Sequence, residues 1–443
     1  MKKPIISCIL FCLILLPIQG QEINTAKIDS FLNHIEKYNQ GIGSVAISKG
    51  GKTVYTRRFG QNNLNKKQNG EAFKYRIGSI TKLMTATLVE QLVEQGRLSL
   101  TETLDTYFPN IPNAQKISLT QLLNHSSGLG NYILKNDSLY FWTTVPVTEQ
   151  EIMNEIVRQG TLFEPGTNTK YSNSGYYLLA RILEKKYNKK YPEILQEEIL
   201  KPLELKYTVS GIAEDATISL SYFQSTSHGW EVTNDLYFPN VIGVGDVAST
   251  PEELNYFTTA LFTGKLLKPE TVTTMKPGKE QIFGLGVTKA PFYEKTLYGH
   301  GGDTFGTHSI ALYHEEDSIA VAMSINGGAM PFNDVLIGVM NGIYDLPSRL
   351  PDFSQYGAYT VDTDSLKQYT GIYKLPMNQL QIRIYTEKDN LMAQMTGQPA
   401  FCLVAFSKDV FKYSPSDATI EFNPAKKQLF LIQRGQTTPF TKE

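Results

Sequence analysis

Ser79-Ile80-Thr81-Lys82 is the first group in this chain whose residue types and spacing could do chemistry. A serine hydroxyl is a weak nucleophile until a neighbouring base takes its proton. A lysine becomes such a base when burial lowers its pKa. Three residues along a helix put both side chains on one face. Leu83, Thr87, Leu88, Gln91, Leu92 and Gln95 recur at helical spacing from there to a stop at Gly96, so Ser79 is expected to open a helix, close to unpaired backbone N–H groups. The arrangement occurs once in the chain. Average usage predicts about one or two chance matches, and a capping serine beside an exposed lysine would read the same way.

Tyr171-Ser172-Asn173 is the second candidate, and its Tyr-x-Asn spacing also occurs once. It falls between Phe163-Glu164-Pro165-Gly166-Thr167 and the helical run Gly175-Tyr176-Tyr177-Leu178-Leu179-Ala180. A tight loop before a helix is a place where side chains are presented to a cleft. A tyrosine whose anion is held by a nearby lysine can accept a proton and later return it. Asn173 can orient Lys82 or donate to a substrate amide; equally, Tyr171 can be core and Asn173 a helix cap. His300-Gly301-Gly302, just ahead of late strand-like runs, is the third. Two glycines let a substrate backbone come close, and a strand edge offers an N–H to a developing oxyanion beside that of Ser79. Alone, His-Gly-Gly also reads as an ordinary turn.

Taken in order, the three motifs resemble the serine β-lactamase and penicillin-binding-protein superfamily, in the branch of class C β-lactamases, D-Ala-D-Ala carboxypeptidases, D-aminopeptidases and related esterases. The resemblance runs roughly from Ile28 to Tyr344 and takes in Leu122-Leu123-Asn124-His125-Ser126-Ser127-Gly128-Leu129, Pro165-Gly166-Thr167 and Gly299-His300-Gly301-Gly302. It implies Ser79 as nucleophile, Lys82 as its proton partner, Tyr171 as general base and Asn173 as a positioning amide. His300, Gly301 and Gly302 would line the cleft, and the backbone N–H groups of Ser79 and Asp303 would form the oxyanion hole. The implied reaction forms an acyl-enzyme on Ser79 and passes the acyl group of a D-amino-acid peptide, a β-lactam or a small ester to water. Acyl transfer to an alcohol or amine is a related reading; a non-catalytic penicillin or peptidoglycan sensor is the rival from another class. Class C β-lactamases carry Lys-Thr-Gly where this chain has His-Gly-Gly, the form common among the family's peptidases and esterases. The class A pattern with a deacylating Glu is missing, because Glu252-Glu253-Leu254-Asn255 is one residue short of it.

The elements that must position these residues are read from periodicity. A helix is expected from Ile28 to Tyr38, then strands Gly43–Ser48 and Thr53–Thr56 around the turn Lys49-Gly50-Gly51-Lys52. Helices come next over 120–123, 149–159, 175–187 and 191–199, and Thr250-Pro251-Glu252-Glu253 predicts a sharp helix start with a capping box. Strands return at Gly284–Thr288, His308–Tyr313 and Ser318–Ile325, before a helix over Phe332–Ile343. Strands at both ends and helices between predict an α+β fold, one antiparallel sheet flanked by helices with a largely helical second lobe. The β-lactamase/transpeptidase resemblance implies the same. Residues 347–364 read as a linker, and 365–443 as a small all-β domain that resembles the lipocalin-like barrel some members append.

Composition is that of an ordinary globular protein: 443 residues, 41% apolar and 19% charged. A net charge of −1 gives no electrostatic footprint for nucleic acid or anionic lipid. Lys2 and Lys3 precede an apolar run from Ile5 to Leu16, closed by Pro17, with Gly20-Gln21 as a plausible cut, so residues 1–20 read as a signal peptide. A buried N-terminal helix is the alternative, and bulky Phe11 speaks against lipidation of Cys12. The expected product is exported, periplasmic or secreted, crosses no membrane, and has its hydrolase domain over about residues 21–346. With Cys8 and Cys12 removed, Cys402 remains alone as a small core residue. No His pair has metal-ligand spacing, so neither metal nor cofactor is expected, and the partner is a small-molecule or peptide acyl donor. His125 reads as a structural hydrogen bonder. The aromatic loops 129–147 and 219–243 could line a cleft for a ring-bearing substrate or pack the helical region.

Overall fold

Both ends of the region before the C-terminal barrel build one sheet, and the segment between them packs helices on it. The computed structural model describes residues 23–443 apart from 65–72, 135–142, 226–228, 354–358, 360, 376–379, 397–399, 414–417 and 434. The expected signal peptide, and Tyr140, Phe141 and Trp142 of the aromatic loops, lie outside these residues.

Helix α1 (Thr25–Lys37) starts where Asn24 accepts from the Lys27 N–H. Strands β1 (Gly41–Lys49) and β2 (Lys52–Phe59) form a hairpin, and β3 (Tyr75–Arg76) comes after it. The helical part comprises α2 (Thr81–Glu94), α3 (Leu119–Leu123), α4 (Glu149–Gln159), α5 (Asn173–Tyr187) and α6 (Tyr191–Leu195). Strands β4 (Tyr222–Ser225) and β5 (Gly229–Val232) make a second hairpin, succeeded by β6 (Ala248–Ser249), α7 (Pro251–Phe262) and α8 (Pro269–Met275). The chain returns to the sheet as β7 (Thr288–Phe292), β8 (Lys295–Asp303), β9 (His308–His314) and β10 (Ile319–Gly328), then α9 (Phe332–Ile343).

The main sheet runs β2-β1-β10-β9-β8-β7, antiparallel along this path, so β1 from the N-terminal end pairs with β10 from far downstream. Both faces of β10 are buried, and its residues sort by size. Ile319, Val321, Met323 and Ile325 pack with Ile28, Leu32 and Ile35 of α1 and Val339 of α9. Ala320 and Ala322 belong to the core on the other face, with Leu254, Phe257 and Leu261 of α7. Small residues there let α7 lie close to the sheet, and alternation along the strand delivers each set to its own face.

Three sequence expectations need correction. Gly284–Val287 is a turn rather than a strand, closed by Gly284 N–H to the Val287 carbonyl at 2.8 Å; the edge strand starts at Thr288. Leu285 N–H is drawn to the Met275 carbonyl at the end of α8, so the run bends away from the sheet. The His300 motif lies inside β8 and not ahead of the strands. Thr250 caps α7 as expected, with Pro251 first in the helix, but Glu253 does not reach back to the cap. Its carboxylate accepts instead from Tyr207 N–H at 2.9 Å and Thr208 Oγ1 at 2.6 Å.

Beyond α9, Phe353 is buried against α1, its ring 5.3 Å from that of His34, so the start of the segment read as a linker is docked on the sheet's helical layer. Helix α10 (Thr363–Leu366) then leads into a closed eight-stranded barrel. Its strands are β11 (Gly371–Lys374), β12 (Gln381–Glu387), β13 (Asn390–Met395), β14 (Ala400–Ser407), β15 (Val410–Tyr413), β16 (Ala418–Asn423), β17 (Gln428–Gln433) and β18 (Gln436–Lys442). Tyr369, Phe411, Phe422 and Phe440 fill its interior, while Cys402 is buried on the outer face of β14, where the barrel meets the β4–β5 hairpin. Lys388 bonds Glu231 at 2.8 Å, and Ser225 Oγ donates to Asn390 at 3.0 Å, so the barrel docks on the β4–β5 hairpin. Among the described residues no helix is long and apolar enough to cross a membrane.

Candidate active site

Ser79 sits in a single 3₁₀ turn, Gly78–Ile80, that runs into α2 at Thr81. The turn is forced against β8 from below. Gly78 has φ +51°, and a Cβ there would stand 2.7 Å from the Asp303 nitrogen. A Cβ on Gly302 would stand 1.9 Å from the Ile77 carbonyl oxygen and 2.7 Å from the Ser79 nitrogen. Only bare backbone fits on both sides. The backbone N–H groups of Ser79 and Asp303 are thereby held in neighbouring segments.

Lys82 Nζ lies 2.8 Å from Ser79 Oγ and donates to the Val244 carbonyl at 2.9 Å. It is fully buried, with the rings of Tyr171 and Tyr176 centred 5.1 and 5.7 Å away. Burial alone pulls its pKa well below the usual lysine value, because no carboxylate shares its hydrogen bonds. Tyr171 Oη lies 2.7 Å from Ser79 Oγ. Burial pushes this phenol well above the ordinary tyrosine range, against the pull of the Ser79 hydrogen bond. On either side of one hydroxyl the pocket therefore holds an amine whose hold on its proton burial weakens and a phenol whose hold burial strengthens.

Tyr171 is fixed by its chain neighbour Ser172 and by a ring packed beneath it. Ser172 caps α5 by accepting from Ser174 N–H and donates its own hydroxyl to the Gly130 carbonyl at 2.8 Å. His125, at φ +61°, packs its ring 4.3 Å from that of Tyr171 at a 33° tilt and accepts from Ser172 N–H at 3.2 Å. Burial keeps this imidazole neutral, in keeping with a structural part. Asn173 is the first residue of α5, not its cap, and its Nδ2 donates to Asn131 Oδ1 at 3.1 Å rather than to Lys82. His300 is buried with Nδ1 against the Gly301 carbonyl. Burial, with Lys82 adding, pushes its pKa down to about 4, against the Gly301 bond and Asp303. Gly301 and Gly302 run beside it, and the Asp303 carboxylate points outward to His308 Nδ1 at 2.6 Å.

The motifs do not contain Val244, whose carbonyl is the second partner of Lys82. Its turn is tied down by Asp246, a buried carboxylate accepting from Gly243 N–H at 2.7 Å, Ser210 Oγ at 2.5 Å and Gly211 N–H at 2.8 Å. Thr85 Oγ1 in α2 donates to the Gly243 carbonyl at 2.7 Å. The run Gly243-Val244-Gly245-Asp246 was the signal for a tight turn in the sequence, though nothing in it pointed to Lys82. Among the described residues there is no cluster of three or more His, Cys, Asp or Glu able to hold a metal ion.

Residues 31–337, more than two thirds of the chain, match the family described as Beta-lactamase. The chain belongs to the beta-lactamase family. This beta-lactamase-family protein is a serine hydrolase, and its relatives span several activities. It is 28% identical over 256 residues to the penicillin-binding protein PbpX of Bacillus subtilis, a match spanning 56% of this chain and 62% of that protein's length. It is 25% identical over 338 residues to a teichoic acid D-alanine hydrolase of Staphylococcus aureus, covering 70% of this chain and 78% of the relative. The D-amino acid amidase of Ochrobactrum anthropi, solved with L-phenylalanine amide, superposes with a TM-score of 0.63 at 26% identity, over 73% of this chain and 99% of the amidase.

Proposed function

We propose that this enzyme, exported once residues 1–20 are removed, cleaves an ester or amide of a small acyl donor through an acyl-enzyme on Ser79, with D-amino-acid derivatives as the favoured class. The observation that carries the reading is one hydroxyl, Ser79 Oγ, 2.8 Å from the Lys82 amine and 2.7 Å from the Tyr171 phenol. The neutral Lys82 takes the Ser79 proton as Oγ attacks the carbonyl carbon. The oxyanion forms between the N–H groups of Ser79 and Asp303. As the bond to the leaving atom breaks, Tyr171 gives that atom a proton and is reprotonated from Lys82. Water then attacks the acyl ester by the same proton path in reverse. The resemblance implies Tyr171 as base; the electrostatics of the resting pocket support Lys82 in that role and Tyr171 as the acid.

The preference for esters and amides over β-lactams rests on His300. A neutral imidazole lacks the permanent charge with which a lysine would pair a β-lactam carboxylate. Losing a charge-assisted hydrogen bond costs roughly 1.5–3 kcal/mol, about ten- to a hundredfold in rate. The D-amino-acid class is supported by the names of the two hydrolytic relatives.

Mass spectrometry after treatment with a fluorophosphonate tests the nucleophile. The adduct is expected on Ser79 and absent from Ser79→Ala; an adduct on another serine would overturn the mechanism. Turnover of nitrocefin more efficient than that of a short-chain ester would overturn the donor preference.

A further inference from the structure

A cavity of about 300 Å³ lies between the catalytic sheet and the C-terminal barrel. Gln40 at the entry to β1, Tyr222 and Phe223 of the β4–β5 hairpin, Phe305 after β8, and Phe401 and Tyr413 of the barrel all line it. Four of these five rings are only partly buried, and Phe401 and Tyr413 reach the cavity from the edge of the barrel's own core. Phe401 and Tyr413 lie 4.3 Å apart and make one continuous aromatic wall.

Gln40 is the most deeply buried polar side chain of the lining. It is 4% exposed, its Nε2 donates to the Tyr38 carbonyl at 2.9 Å, and its Oε1 is buried without a hydrogen-bond partner. That oxygen is closed off from the cavity as well as from solvent, so Gln40 braces the wall and the rings face the space. Lys412 and His308 of the lining are already engaged. Lys412 Nζ sits over the Phe406 ring at 3.6 Å, and His308 Nδ1 is paired with Asp303. Such a lining suits a neutral ring better than an ion.

The cavity also adjoins the Ser79 site. His308 pairs with Asp303 across β8 and β9, one interstrand spacing of about 5 Å. Asp303 in turn lies against the Gly78–Ser79 turn. Tyr413 feels the same carboxylate: burial, then Asp303, pushes its phenol up to about 12.

We propose that this cavity is a second subsite of the enzyme, taking an uncharged aromatic ring from the part of the acyl donor remote from the cleaved bond. The proposal rests on the reading of Ser79 as nucleophile. The aromatic rings hold the donor's ring by stacking, and the barrel supplies one wall of the specificity site.

The test uses the full chain and two esters with the same leaving group, p-nitrophenyl acetate and p-nitrophenyl 4-benzamidobutanoate. The wild type is expected to prefer the benzamido ester in kcat/KM by about tenfold or more. Phe223→Ala and Tyr413→Leu, from opposite walls, should each lose about tenfold on that ester through KM and stay within about twofold on the acetate. No preference in the wild type, or equal losses on both esters in variants that melt like the wild type, would overturn the subsite. Binding of N-butylbenzamide to Ser79→Ala, followed by tryptophan fluorescence, separates the two readings. Saturable binding weakened by both wall substitutions, without turnover of either ester, would sink Ser79 as nucleophile and leave the cavity standing. Absence of saturable binding would overturn the cavity.

Discussion

Gly302→Ala should cripple catalysis where Gly301→Ala, one residue away, does not. An added Cβ at Gly302 would stand 1.9 Å from the Ile77 carbonyl oxygen and 2.7 Å from the Ser79 nitrogen, both backbone atoms that no rotamer change can move. Real Cβ contacts essentially never fall below 3.0 Å, so β8 and the Ser79 turn must part by about 1 Å. That movement separates the N–H groups of Ser79 and Asp303. A 1 Å misplacement costs about a hundredfold, and loss of one oxyanion donor about 10²- to 10³-fold in kcat. At Gly301 the nearest atom to an added Cβ is the Ser309 carbonyl oxygen at 3.8 Å, ordinary contact. Its alanine variant should stay within about 0.5 kcal/mol of the wild type, roughly two- to threefold in rate. The assay is steady-state hydrolysis of p-nitrophenyl acetate, run beside the rate of fluorophosphonate labelling and a melting curve for each variant. Both rates should fall together in Gly302→Ala. Wild-type kcat/KM in a folded Gly302→Ala enzyme, or equal losses in the two variants, would refute the claim that this backbone approach sets the oxyanion donors.

The buried charges carry further expected outcomes. Asp246→Asn has one acceptor oxygen for three donors, so the Val244 turn should loosen and kcat should fall by about tenfold or more with little change in KM, read from ester kinetics. Lys82 has a depressed pKa when folded, so between that value and 10.5 the unfolded chain binds more protons and stability rises with pH. Lys82→Met abolishes that slope, and the stability of the variant relative to the wild type should decline from pH 7 to pH 10 in urea titrations. Glu90 shows the opposite sign: burial, with Glu94 adding, raises its pKa to about 7, so wild-type stability should fall as pH climbs from 4.5 to 7. Glu90→Gln should therefore gain roughly 2–3 kcal/mol over the wild type at pH 8 relative to pH 5, measured by chemical unfolding. His300→Lys should raise nitrocefin turnover about ten- to a hundredfold relative to that of the short ester, if a permanent charge is what the β-lactam carboxylate lacks.

Much of the architecture was legible because it is local. The Thr250-Pro251 start of α7, the α2 periodicity after Ser79 and the alternating runs of the barrel are patterns within a few residues, and each became the element it implied. The strand carrying the third motif was not legible. Lys295–Asp303 holds three glycines, poor strand formers with no side chain to pack, and it is a strand because β7 and β9 flank it. Its glycine at 302 answers to Ile77 and Ser79, which no window around residue 302 contains.

The sequence by itself determined which residue types were available to the site: one Ser-x-x-Lys, one Tyr-x-Asn and one His-Gly-Gly in an order that resembles a known superfamily. Only the tertiary structure decided their protonation and their partners. Lys82 has a depressed pKa because the surrounding fold buries it and gives it a backbone carbonyl, 162 residues distant, instead of an acid. Asn173 turned to Asn131 and His125 to Tyr171 because loops far apart in the chain meet there. Desolvation and hydrogen-bond geometry belong to the space around a side chain, and that space is assembled from residues the local sequence does not name.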